Sequence, residues 1–339
     1  MPRSDHRWTG IPPLLMLLLG LSSGLCGQPI QGVCFTGPDR PVGDTALAPL
    51  VELGADQVCF MPYAFSRAEG DDHRVQQADW QWWGEREEGL EQLVNMAHAQ
   101  GLRVMMKPHL WLGHGQFTGH YDPGSEAGWR SFEESYADYV VHYARLSRQW
   151  GVDLFCLGTE LDHFVQSRPA FWQRLIHRVS DAFQGPLTYA ANWDEVERVP
   201  FWGRMSFIGV DGYFPLCPAP NPSASELDEA WTPHLDRLEA LSARHRRPVL
   251  FTEIGYCCTA NCAAEPWKED PRAPKDEAAQ HAAWSAFFRN VTGRPWYAGC
   301  FVWKWHAYRP SGEADGPGNG YSPQGLPALD VLREAFDRP

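Results

Sequence analysis

The sequence predicts a closed (β/α)8 barrel, a TIM barrel, built as a single α/β domain. Three observations predict it. Short continuous apolar runs alternate with amphipathic helical stretches, eight such pairs fit into the 339 residues, and no Gly-rich phosphate loop follows the first run. Continuous apolar runs are what parallel strands covered on both faces require. An open doubly wound sheet would also alternate, but Thr36-Gly37-Pro38-Asp39 is not the glycine-rich turn expected after its first strand.

The first strand is expected over 31–36, followed by a helix over 46–53. The second strand, 57–61, leads to a helix over 88–100 that places Leu90, Leu93, Val94 and Ala97 on one face. The third strand is 102–107, and the long helix after it spaces Phe132, Tyr136, Tyr139, Val140, Tyr143 and Leu146 at helical intervals. The fourth strand is 152–158, with Phe171, Leu175, Val179 and Phe183 marking the next helix. Strands five (187–191) and six (206–210) are joined by a short segment holding Val199, Phe201 and Trp202. A helix carrying Leu227, Trp231, Leu235, Leu238 and Leu241 precedes strand seven at 248–252. A helix over 278–290, strand eight at 300–303 and a last helix over 329–336 complete the barrel.

The N-terminus reads as a signal rather than as fold. Arg3, His6 and Arg7 precede an apolar run over 11–21 that closes in Ser22-Ser23-Gly24, the pattern of a secretory signal peptide over residues 1–26. The run is short for a bilayer span, although an uncleaved anchor is the alternative. Cys26 loosely fits a lipoprotein cleavage site, with Leu25 a poor residue before it. The remaining 27–339 would form the barrel, and the protein is expected to be secreted, periplasmic or held at the cell surface. A net charge of −13 makes nucleic acid a poor partner and is indifferent to a neutral polymer.

Of the nine cysteines, Cys34, Cys59, Cys156 and Cys300 fall in strand-like runs and read as core. Cys257, Cys258 and Cys262 crowd one loop, where an exported protein would first be expected to form a local disulfide and otherwise to keep free thiols. No spaced Cys/His partner supports a metal, and no cofactor is expected. The helix-borne His98, His142, His177 and His281 read as surface residues. Asn290-Val291-Thr292 is a glycosylation sequon, of consequence only in a eukaryotic secretory host.

A barrel of this kind carries its chemistry at the C-terminal ends of its strands. Two glutamates, Glu160 and Glu253, directly follow strands four and seven, which are expected to face one another across the ring. Paired carboxylates about 5–5.5 Å apart are what a retaining glycosidase needs, one as acid/base and one as nucleophile. The plain alternative is that each pairs with a basic neighbour.

The stretches Leu157-Gly158-Thr159-Glu160-Leu161, Ala191-Asn192-Trp193-Asp194, Asp211-Gly212-Tyr213-Phe214-Pro215 and Phe251-Thr252-Glu253-Ile254-Gly255-Tyr256 resemble glycoside hydrolase family 113. So do Lys107-Pro108-His109 and Trp303-Lys304-Trp305, and the resemblance runs from Gln31 to Leu332. It implies a clan A barrel and a retaining, chiefly endo-acting β-1,4-mannanase, with Glu160 as acid/base and Glu253 as nucleophile. Many clan members carry Asn directly before the acid/base; here that residue is Thr159.

The neighbouring strand-end residues are candidates for substrate contacts. Tyr213 is expected to hydrogen-bond Glu253, with a core tyrosine as the alternative, and Trp303 to lie under the sugar, with plain packing as the alternative and Trp305 as a second platform. Lys107 and His109 are expected to reach hydroxyls rather than be buried. Asn192 offers a donor and an acceptor, with a turn role as the alternative. Trp111, Trp193 and the Trp80-Gln81-Trp82-Trp83 cluster would line outer subsites or pack as ordinary loops. Three rivals share these features: the same mechanism on a glucan or xylan, a non-catalytic carbohydrate-binding barrel, and a metal-dependent hydrolase. The last would normally offer a His-x-His pair after strand one, which 32–38 lacks.

Overall fold

A computed structural model describes residues 28–66, 72–113, 116–308 and 318–337. The expected signal peptide over 1–26, Cys26 included, lies outside the described residues. All eight expected strands form: β1 Ile30–Thr36, β2 Gln57–Phe60, β3 Arg103–Met106, β4 Leu154–Thr159, β5 Leu187–Asn192, β6 Ile208–Asp211, β7 Val249–Ile254 and β8 Tyr297–His306. They pair in parallel in chain order, and β8 closes on β1 to complete the barrel. The TIM-barrel expectation is met.

The alternation of strand side chains divides the apolar residues into two layers. Ile30, Cys34, Cys59, Met61, Met105, Leu154, Leu250 and Phe301 pack together as one cluster inside the barrel. Val33, Phe35, Val58, Val104, Phe155 and Val210 belong instead to the larger cluster shared with the helices. Gly32 is a glycine because its neighbour fills the space: an added Cβ would lie 2.4 Å from the Phe301 ring.

The helices are α1 Ala48–Leu53, α2 Glu87–Ala99, α3 Glu126–Trp150, α4 Asp162–Ser167, α5 Pro169–Ala182, α6 Ala224–His245, α7 Glu277–Val291 and α8 Ala328–Phe336. Sequence chemistry sets several of their ends. Ser125 caps α3 by accepting the Gly128 N–H at 3.0 Å, and Gly151, with φ 73°, terminates it. Ser223 and Glu226 form a reciprocal capping box on α6. Between β5 and β6 the chain makes only two short 3-10 turns, as the brief segment there predicts.

Three features depart from expectation. Beyond Pro62 and Pro108 the chain resumes extended structure, so 63–66 and 109–112 pair in parallel, with 75–76 on the outer edge. Each proline lacks an N–H and so interrupts the barrel ladder, and the continuation becomes a second small sheet over the barrel mouth. Second, β4 and β7 stand three places apart in the ring, not opposite one another. Third, the eight described cysteines are free thiols, so no disulfide links Cys257, Cys258 and Cys262. All three are buried in the loop after β7, and burial pushes the thiols of Cys257 and Cys262 up to about 12.

Candidate active site

The site is assembled around Glu253. This residue lies in β7, is 6% exposed, and both of its carboxylate oxygens are engaged. Tyr213, just beyond β6, donates its hydroxyl to Oε2 at 2.7 Å. Lys107, just beyond β3, pairs its ammonium with Oε1 and also lies 3.5 Å from the Thr252 carbonyl. The Lys107 side chain is fully buried, so the expectation that it reaches hydroxyls is corrected. Its charge is committed to the carboxylate, since a buried ammonium needs a counter-charge. Anionic neighbours Asp211 and Glu253 outweigh the opposing effect of burial and hold Lys107 well above the usual lysine range.

His109 follows two residues later and sits at the cleft. Its Nε2 is 3.6 Å from Glu253 Oε1, beyond a hydrogen bond, and has no partner among the described residues. Burial and the Lys107 charge hold its imidazole well below the ordinary value, which makes it neutral. Its ring lies parallel to that of Trp303, with centroids 6.1 Å apart. Trp303 is half-buried in β8, and the Lys107 ammonium is 5.6 Å from its ring centroid.

Glu160 follows β4 in a left-handed backbone conformation, φ 51°, which few non-glycine residues adopt. Two bonds hold this turn. The Glu160 N–H donates to the Ala190 carbonyl at 2.8 Å, and the next N–H, that of Leu161, donates to the Tyr189 hydroxyl at 2.7 Å. Strain maintained in this way is a mark of sites where a side chain must be aimed. Burial, then the carboxylates of Asp211, Glu253 and Glu195, push the Glu160 carboxyl well above the usual range, against the pull of Lys107.

Glu160 and Glu253 line one cleft of about 290 Å3 with Tyr63, His109, Leu110, Trp111, Leu112, Gln116, Thr118, Thr159 and Trp303. The small outer sheet supplies one wall through Tyr63 and the 109–112 strand. Trp111 stands 62% exposed on that wall. The cleft thus holds two carboxyl groups in different surroundings: Glu160, pushed up by burial and anionic neighbours, and Glu253, engaged at both oxygens by Tyr213 and Lys107.

Other candidates fall elsewhere. Trp305 is 5% exposed and packs in the main core opposite Phe35, so it is not a cleft platform. Two residues apart, Trp303 and Trp305 would share a face of a regular strand, but the register of β8 against β1 shifts between Val302 and Trp305, so Trp303 lines the cleft while Trp305 enters the core. Asn192 Oδ1 accepts the Trp193 N–H at 2.8 Å, the turn role. Within the tryptophan cluster, Trp83 is buried, while Trp80 leans on Phe65 with centroids 5.2 Å apart.

Two acidic residues without an assigned role in the sequence reading prove to be part of the site. Asp211, at the end of β6, is fully buried; Thr252 donates its hydroxyl to Oδ1 at 2.7 Å, and Oδ2 has no partner among the described residues. Burial and the facing Glu253 raise its carboxyl to about 7. Glu195, beyond β5, is 4% exposed and is raised to about 8 by burial and by Asp162 and Asp194. The signal was present in the Asp211-Gly212-Tyr213 stretch, where an acidic residue ends an apolar strand.

A family model described as Glycoside Hydrolase Family 113 matches residues 40–325. Among solved structures, the family 113 β-mannanase AaManA from Alicyclobacillus acidocaldarius, in complex with ManMIm, is 24% identical with a TM-score of 0.78. The match covers 93% of this chain and 99% of that one. A second family 113 β-1,4-mannanase is 24% identical with a TM-score of 0.77, covering 91% and 99%. A β-glucuronidase from Faecalibacterium prausnitzii is 16% identical with a TM-score of 0.60, covering 91% of this chain and 48% of its own. At these identities the structural likeness speaks to the fold. No curated protein matches the chain.

Proposed function

The chain belongs to glycoside hydrolase family 113 and is a glycoside hydrolase, and from that premise we propose that it is a retaining β-mannanase acting by double displacement. The single observation that carries the mechanism is a carboxylate engaged at both oxygens in the same cleft as a carboxyl that burial pushes well above its usual range. Glu253, held by Tyr213 and Lys107, is the nucleophile; Glu160, whose carboxyl is pushed up, is the acid/base.

In the first step a Glu253 oxygen forms a bond to the anomeric carbon as the glycosidic C–O bond breaks, and Glu160 gives its proton to the departing oxygen. In the second, Glu160 takes a proton from water, whose oxygen attacks the anomeric carbon and releases Glu253. Two inversions leave the anomeric configuration unchanged. The Tyr213 hydroxyl and the Lys107 ammonium fix the carboxylate against rotation. His109, neutral and with an Nε2 that has no hydrogen-bond partner among the described residues, is placed to exchange hydrogen bonds with a sugar hydroxyl, and Trp303 to lie against the apolar face of the ring.

Mannan as the substrate is supported by family membership and by the mannanases among the fold neighbours. Export, inferred from the N-terminal pattern, accords with a polymer too large to enter a cell. Digestion of manno-oligosaccharides followed by NMR of the newly formed anomer tests both parts. Immediate appearance of the β-anomer is expected; the inverted anomer would overturn the double displacement, and failure to release sugar from any mannan would overturn the substrate.

A further inference from the structure

Beside the cleft, the structure presents a second aromatic surface that the reaction does not use. Trp267, in the loop after β7, is 48% exposed. It stacks on the half-buried Trp193 beyond β5, with ring centroids 5.8 Å apart and planes 18° apart.

The pair is continuous with the catalytic cluster. Trp193 and Trp303 both pack against Tyr213, Cys257 and Tyr321. On the other side, Lys304, next to Trp303, holds its ammonium 3.6 Å from Glu269, two residues after Trp267. The exposed ring therefore stands on the same face as the bond-breaking pair, linked to the cleft wall through two routes.

The loop that carries it is fixed. Tyr321 donates its hydroxyl to the Pro266 carbonyl at 2.6 Å, Asn319 donates to the Asp270 and Ala273 carbonyls at 2.9 and 2.7 Å, and the Ala263 carbonyl accepts the Leu216 N–H at 2.8 Å. Cys257 Sγ lies 3.9 Å from the Lys268 carbonyl. An exposed flat ring on an immobilised loop can bind a partner without the entropic cost of being ordered first.

We propose that Trp267, backed by Trp193, is a sugar-binding platform outside the cleft, where a further pyranose unit of the same glycan chain stacks. The occupant is a neutral pyranose because the exposed ring face is flat and apolar, and because it continues a cleft built to take a β-linked sugar. This proposal rests on the glycosidase reading, though not on mannose as the sugar.

The test titrates the hexasaccharides of mannan, cellulose and xylan, by calorimetry, into E160Q and into E160Q carrying W267A or W267F. The platform is judged on whichever sugar E160Q binds tightest; which sugar that is decides the mannan reading separately. W267A is expected to weaken binding of that hexasaccharide by roughly 3- to 10-fold, with W267F, which keeps a ring, recovering most of it. The corresponding disaccharide, too short to span cleft and platform, should bind all three proteins alike. Unchanged hexasaccharide affinity in W267A, an equal loss for the disaccharide, or no binding of any hexasaccharide to E160Q would each overturn the platform.

Discussion

At the scale of single residues, the site is a balance of one cation among four carboxylates. Lys107 is bound to Glu253, while Asp211, Glu253 and Glu195 all raise Glu160, and Glu253 in turn raises Asp211. In the proposed role of acid, Glu160 serves only while protonated, so the alkaline limb of the pH–rate profile would report its ionisation. Asp211 pushes that carboxyl up. Replacing it by Asn keeps the Thr252 hydrogen bond and removes the charge, so the alkaline limb of kcat/KM in D211N should move to lower pH. A pH–rate profile on the best glycan checks this, and a limb that stays in place or moves upward refutes the assignment. E160Q itself should lose about 10²- to 10⁴-fold on polymer. The loss should be far smaller on an aryl glycoside whose phenolate leaves without protonation. Equal losses on both substrates would mean that Glu160 is not the acid.

At the scale of elements, the seam between the first and last strands is the most exacting part of the barrel. Gly299 in β8 has φ 123°, and a Cβ there would lie 2.2 Å from the Ile30 carbonyl of β1. G299A should destabilise the protein by about 2 kcal/mol or more, read as a lower midpoint in urea, whereas an alanine at the open Gly203 should not. The eight strands were legible because each is buried on both faces, which writes burial directly into the sequence as a continuous apolar run. The small outer sheet was not, because 63–66 and 109–112 are short and their pairing depends on two prolines acting at a distance. The same limit governs the site. Glu160 and Glu253 were legible as carboxylates ending apolar strands, and so was the Tyr213 bond. That Lys107 spends its charge on Glu253, that Trp305 enters the core and that Asn192 serves a turn depend on side-chain direction, which spacing alone does not carry. Asp211 was missed although it ends a strand in the same way, since only the fold shows Thr252 and Glu253 beside it.

At the scale of the whole molecule, those buried carboxyls link the catalytic apparatus to stability. Asp211 is raised to about 7 and Glu195 to about 8, while in the unfolded chain both ionise near 4. Between these values the folded protein binds more protons than the unfolded one, so stability must fall as pH rises. The contribution is fully present below pH 4 and is lost as pH climbs through about 7 to 8. The net charge of −13 acts in the same direction, because ionised surface carboxylates repel one another more as pH increases. Salt separates the two. Surface repulsion is screened over a Debye length of about 10 Å at 0.1 M, whereas groups sealed in the barrel mouth are screened much less. Melting temperature should therefore fall from pH 5 to pH 8, and part of the fall should persist in 0.5 M salt. The persistent part should shrink in D211N and in E195Q, which cannot ionise at those positions. A salt-resistant fall that is identical in both variants and the parent would show that the buried carboxyls are not its source.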